Sequence, residues 1–143
     1  MVALFAAACS SSGSTPAPMP SSATSAPPAA LPAGLTAATS ATLQGFWKPT
    51  GSRGQSSSAY VLFSSNGTIW SGSDGCNAFN GHYSLGADGV LTASSGPSTL
   101  IGCENWQGPT WVGLASRVAI EGKKLVLFDK GGQRLGAMAK LAE

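Results

Sequence analysis

Three cysteines, one histidine and six carboxylates carry most of the reactive chemistry available to this 143-residue chain. Cys9, Cys76 and Cys103 are too widely spaced for a zinc site, which needs close pairs of ligands. His82 is the sole imidazole. A general base needs a partner to orient it, and none stands nearby in sequence. Tyr83 and Asp88 suit strand and turn positions. The acids Asp74, Asp88, Glu104, Glu121, Asp129 and Glu143 are too few for a calcium loop or a glycosidase pair. The pattern therefore points to no catalytic residue, no metal and no cofactor. His82 is expected on a strand with its ring facing outward, and Asp74 as an acceptor of backbone N–H groups in a turn. Asn77, beside a cysteine in a bend, is expected to satisfy backbone groups with its amide.

Cys9 suggests a different chemistry. It ends a short apolar run, residues 2–8, far below the roughly 20 residues a bilayer span needs. Small residues at Ala6, Ala7 and Ala8 directly before a cysteine resemble a bacterial lipobox. In that signal the chain is cut before the cysteine and the thiol takes a diacylglycerol. No Lys or Arg precedes the run, although export signals normally carry one; a start codon placed too far downstream explains that and the shortness of the run. Residues 1–8 then read as the remnant of a signal peptide.

Residues 1–47 contain no Asp, Glu, Lys or Arg, and six of the nine prolines lie between Pro16 and Pro32. Met19, Leu31 and Leu35 are the only sizeable apolar side chains after Cys9 and before Leu43. Such a segment cannot offset the entropy of ordering, so residues 9–42 are expected to form a lipidated, disordered Ser/Thr/Ala/Pro linker. The expected location is the extracytoplasmic face of the cell membrane, reached through the lipid anchor. With Cys9 acylated, Cys76 and Cys103 remain. In an oxidising compartment they can pair, closing a loop worth roughly 3–4 kcal/mol in the chain-entropy model. In the cytosol they would be buried thiols. A net charge of +2 with 10% charged residues gives no reason to expect nucleic acid. A monomer is expected, with its protein or small-molecule partner open.

From residue 43 short strands alternate with turn signals. Strands are expected at 44–48, 59–64, 68–73, 81–85, 90–93, 98–101, 124–129 and 133–141. Asn66-Gly67, Asp88-Gly89 and Gly131-Gly132 supply hairpin turns. Pro109 can open a helix whose stripe is Trp111, Leu114, Ala115 and Val118. About eight strands and one helix imply a mainly β fold, a compact antiparallel sheet or small barrel. Trp47, Trp70, Trp106 and Trp111 are core candidates. Trp106, between Asn105 and Gln107, is the most suited of them to a partner surface. Lys123-Lys124 reads as a solvated turn.

These elements resemble the META domain (HslJ-like) family. The resemblance rests on Trp47 in an opening strand, then Gly75-Cys76-Asn77, then Asn80-Gly81-His82-Tyr83. Thr99 and Cys103 follow, then the helix and a closing hairpin of Lys124–Phe128 and Leu135–Met138. It covers residues 43–143. The resemblance implies a mostly antiparallel β fold with one helix, Gly75, Asn77, Gly81, Tyr83 and Thr99 as structural motif positions, frequent export or lipid anchoring, and associations with stress. It implies no shared catalytic activity. The leading expectation is a membrane-anchored, non-catalytic binding or envelope stress and maintenance module. One alternative is a carrier for an apolar molecule, with an interior cavity lined by Val61, Phe63, Ile69 and Leu127. Another is a small hydrolase with His82 in a polar cleft.

Overall fold

The computed structural model describes residues 13, 30–51, 57–99, 101, 102 and 106–141. Among these residues nine strands form one antiparallel sheet, which begins at β1 (Thr36–Ala37) and is followed by the short helix α1 (Ser40–Leu43). The strands that follow are β2 (Gly45–Pro49), β3 (Tyr60–Phe63), β4 (Ile69–Ser73), β5 (Ala78–Leu85) and β6 (Leu91–Ala93). Helix α2 (Gly108–Leu114) precedes β7 (Arg117–Glu121), β8 (Lys124–Phe128) and β9 (Arg134–Lys140). The spatial order is β1-β7-β8-β9-β2-β3-β4-β5-β6. The sheet curls so that its last edge returns toward its first strands. Val90, just before β6, bridges Arg117, and Leu91 N donates to Ser116 O at 2.9 Å. No continuous ladder among the described residues closes it into a barrel.

Alternation makes the inner face. In β3, Val61 and Phe63 are fully buried while Tyr60 and Leu62 are half-buried. They pack with Trp47, Trp70, Leu125, Leu127 and Met138 in one core cluster. Burying each such side chain is worth roughly 1.5–3 kcal/mol, so the strands hold through their packing more than through β propensity. Strand β8 differs, with Leu125 through Phe128 all buried. Its second face is covered too: Val126 and Phe128 pack with Ala119, Ala137, Leu31 and Leu35. The chain ahead of Leu43 is therefore part of the folded unit from about residue 31, and the expectation of a linker running to residue 42 fails over that stretch. Pairing of Thr36 with Ile120, and a capping box in which Thr39 and Thr42 bond each other's backbone N–H, fix it in place. Cys9 and the rest of the expected linker before Ala30, apart from Gly13, lie outside the described residues.

The three expected turn pairs all lie at turns between paired strands, with differing backbone geometry. Asp88 and Gly89 both take positive φ, 57° and 72°. At Asn66-Gly67 only Gly67 does, at 72°, and the ladder closes from Ser64 N to Ile69 O at 3.0 Å. The Asn66 side chain instead accepts from Thr68 N and Thr68 Oγ1 at 3.2 and 3.0 Å, which makes a longer Asx-stabilised loop.

Helix α2 packs over β3, β4, β6 and β9. It ends at Leu114 because Ala115 turns extended (φ −70°, ψ 139°). The expected four-residue stripe is thereby cut: Leu114 is 59% exposed and Val118 enters β7. Trp106 is 4% exposed, so it belongs to the core and not to a partner surface. Its ring meets Trp111 edge-on at 6.0 Å. Gly108 makes room for it, since a Cβ there would stand 2.2 Å from the Trp106 ring. No helix among the described residues is long and apolar enough to cross a membrane.

Candidate functional site

The residues singled out from sequence converge at one end of β5. Asp74 and Asn77 are the buried polar side chains of the described residues, at 5% and 4% exposure. Asp74 Oδ1 accepts from Cys76 N at 2.8 Å and Asn77 N at 2.6 Å. Gly75 takes φ 104°, a conformation that permits this tight return. Asn77 then reaches across the molecule. Its Nδ2 donates to Asp74 Oδ2 and to Ile101 O, both at 3.1 Å, and its Oδ1 accepts from Ile101 N at 2.5 Å. Next to it, Ala78 N donates to Thr99 Oγ1 at 3.1 Å.

These bonds strap residues 94–99, 101 and 106 along β5 and the turn before it. Ser94 N donates to His82 O at 2.9 Å, Gly96 N to Asn80 O at 2.7 Å, and Trp106 N to Asp74 O at 3.1 Å. Gly81 lets the strap come close, for a Cβ there would fall 1.8 Å from Ser94 O. A strand is expected at 98–101; of those residues, Thr99 and Ile101 are instead held by hydrogen bonds that involve side chains, at Ala78 on β5 and at Asn77 just before it. Cys76 is exposed, which does not fit a buried thiol, and Cys103 lies outside the described residues. Tyr83 donates its hydroxyl to Ser64 O at 3.0 Å, and burial raises its pKa above the ordinary tyrosine value.

Replacing Asn77 with alanine removes three hydrogen bonds, one to the buried Asp74 carboxylate and two to the Ile101 backbone. A loss of about 2–3 kcal/mol is expected from denaturant melts. Asn77→Asp keeps the shape but sets a second carboxylate against Asp74. Its folded-state proton affinity is raised, so its stability deficit should shrink as pH falls and grow as pH rises. Equal, pH-independent melts for Asn77→Asp and the parent would contradict this role.

His82 stands elsewhere in chemical terms. It is exposed on the outer face opposite Ile69, and its ring makes no hydrogen bond among the described residues. The interior cavity expected for a carrier is not formed by the residues named for it. Val61, Phe63 and Leu127 are 0% exposed in the packed core, whereas Ile69 is 45% exposed on the opposite face.

A second candidate was not foreseen from sequence. A cleft of ≈ 1130 Å³ lies between α1, the β3–β4 turn, the β7–β8 turn and the end of β9. Phe46, Leu62 and Leu141 give it an apolar wall, and Lys123 and Lys140 stand at it. Lys140 Nζ lies 5.4 Å from the Trp47 ring centroid and donates to Thr42 O at 3.3 Å. The signal was present in part: Phe46 occupies an outward position beside inward Trp47, and it is 44% exposed.

An open, curled antiparallel sheet with a side-chain strap at one end and a shallow cleft at the other defines a mainly β domain whose polar motif is architectural. The chain belongs to the META domain family, whose family model matches residues 40–141. No curated protein and no solved structure gives a match to it.

Proposed function

We propose that this META-domain chain is an exported lipoprotein, anchored by a diacylglycerol on Cys9 and displayed on the extracytoplasmic face of the membrane. There it serves as a non-catalytic binding or envelope stress and maintenance module. The observation that carries the reading is where the motif chemistry goes. Asp74, Asn77 and Thr99 spend their polar atoms on backbone groups of the domain itself. The open cleft at the other end is then the surface that remains for a partner. Ala6-Ala7-Ala8-Cys9 and the charge-free Ser/Pro-rich segment after it support export and anchoring. A Cys76–Cys103 disulfide belongs to the same reading. Cys103 sits in sequence between Ile101 and Trp106, which are pinned to Asn77 and Asp74 on either side of Cys76.

The anchoring is tested by intact-mass analysis of the membrane fraction. The expected species begins at Cys9 and carries diacylglycerol, and Cys9→Ser moves the protein to the soluble fraction. A membrane-bound chain beginning at Met1 with an unmodified Cys9 would overturn it.

A further inference from the structure

We propose that the cleft beside β2 and β9 binds a monomeric anionic amphiphile, a single alkyl chain ending in a carboxylate. This deepens the binding role given above and rests on it. The cleft combines two features that suit one ligand class. Its wall is apolar and exposed: Phe46 is 44% and Leu141 51% solvent-accessible, with half-buried Leu62 opposite Phe46 on β3. Exposed aromatic and aliphatic side chains that share one concave surface mark a binding surface more than a solvated one. Its charge is of one sign among the described residues: Lys123 and Lys140 both line it and no described carboxylate does. Glu121, close by in sequence, is turned to Arg134 at 3.3 Å.

The positions of the cations favour a head group at one end. Lys123 projects from the exposed β7–β8 turn, and Lys140 is held by Thr42 O and the Trp47 face, so its ammonium is placed before a ligand arrives. Three N–H donors on each ammonium leave capacity for a carboxylate after those contacts. An alkyl chain lying along Phe46, Leu62 and Leu141 removes apolar surface from water on both partners. A cationic amphiphile gains the same apolar term but meets two like charges, and a short anion gains only weak, salt-screened attraction.

The test uses the full chain carrying Cys9→Ser, so that no lipid on the protein itself competes and the outcome is independent of anchoring. Dodecanoate is titrated below its micellar concentration by calorimetry, with backbone amide shifts followed by NMR. The expected shifts cluster at Gly45, Ser65 and Gly122, which line the cleft. Affinity should rise about two- to fourfold per methylene from octanoate to dodecanoate. Lys123→Ala with Lys140→Met should weaken dodecanoate about tenfold, and Phe46→Ser about fivefold. Both variants change exposed side chains, so unchanged amide spectra away from the cleft should verify their fold. Equal affinity for dodecyltrimethylammonium would overturn the proposal. So would shifts scattered outside the cleft, or binding to anionic vesicles with none to monomeric dodecanoate, which would make the surface a membrane contact. Failure on any of these counts leaves the Cys9 anchor reading untouched, since the mass analysis decides that separately.

Discussion

Alanine at position 81 is expected to destabilise the domain by about 4 kcal/mol, a fall in melting temperature of roughly 20 °C for a unit of this size. The methyl group would fall 1.8 Å from Ser94 O and 2.7 Å from Trp70 Nε1. Neither neighbour can yield cheaply. Ser94 O is backbone, accepts from Trp70 Nε1 at 3.0 Å, and belongs to a residue whose N–H is bonded to His82 O. Trp70 is fully buried, and moving it disturbs the centre of the core cluster. Glycine is kept here by the close approach of the strap to β5, which a bare pleat allows. Thermal and urea melts measure the effect. Gly102→Ala provides the control, because a Cβ at Gly102 meets nothing within 4 Å and should shift stability by no more than about 0.5 kcal/mol. Matching melts for the two variants would mean that the strap does not lie on β5.

The same close approach shows what was legible in sequence. Strands β2, β3, β4, β8 and β9 followed from alternation and turn residues, to within a residue or two at most ends. Alternation is local, and local patterns survive folding when one face of a strand is buried. The run Lys124–Phe128 reads as one more alternating strand, yet Leu125 through Phe128 are all buried because both faces are covered. Leu31 and Leu35 supply the second cover, but two leucines in a proline-rich segment carry no periodicity by themselves, so the domain was expected to start too late. Trp106 is flanked by polar residues and reads as exposed. Its burial depends on the missing side chain of Gly108 and on the Trp111 ring. Segment 98–101 has strand-forming residues, yet its bonds go to Asn77 and Ala78, a partner choice set by long-range contacts. The cleft was hidden for the same reason. Lys123 and Lys140 are 17 residues apart in sequence and meet only because β7, β8 and β9 form consecutive antiparallel pairs.

Reduction of the proposed Cys76–Cys103 bridge is expected to cost about 3–4 kcal/mol, the second large effect. Linking residues separated by 27 positions removes loop-closure entropy from the unfolded chain by that amount. The native state has little to add, because the flanking segments are already aligned without the bridge. Asn77 bonds Ile101 in both directions, and Asp74 O accepts from Trp106 N at 3.1 Å. The bridge and the side-chain clamp thus act on different states, the first on the unfolded chain and the second on the folded one. Their effects should add only in part, since both act on the same strap. A cycle of Cys76→Ser with Cys103→Ser, Asn77→Ala, and all three together measures the coupling. The expected result is that the double serine variant keeps its fold near 25 °C but melts well below the oxidised parent, and that the triple variant loses cooperative unfolding. Oxidised and reduced parent proteins that melt together, or mass spectra showing two free thiols in exported material, would overturn the bridge and leave the strap fastened by its hydrogen bonds to β5 and the Asp74–Asn77 turn.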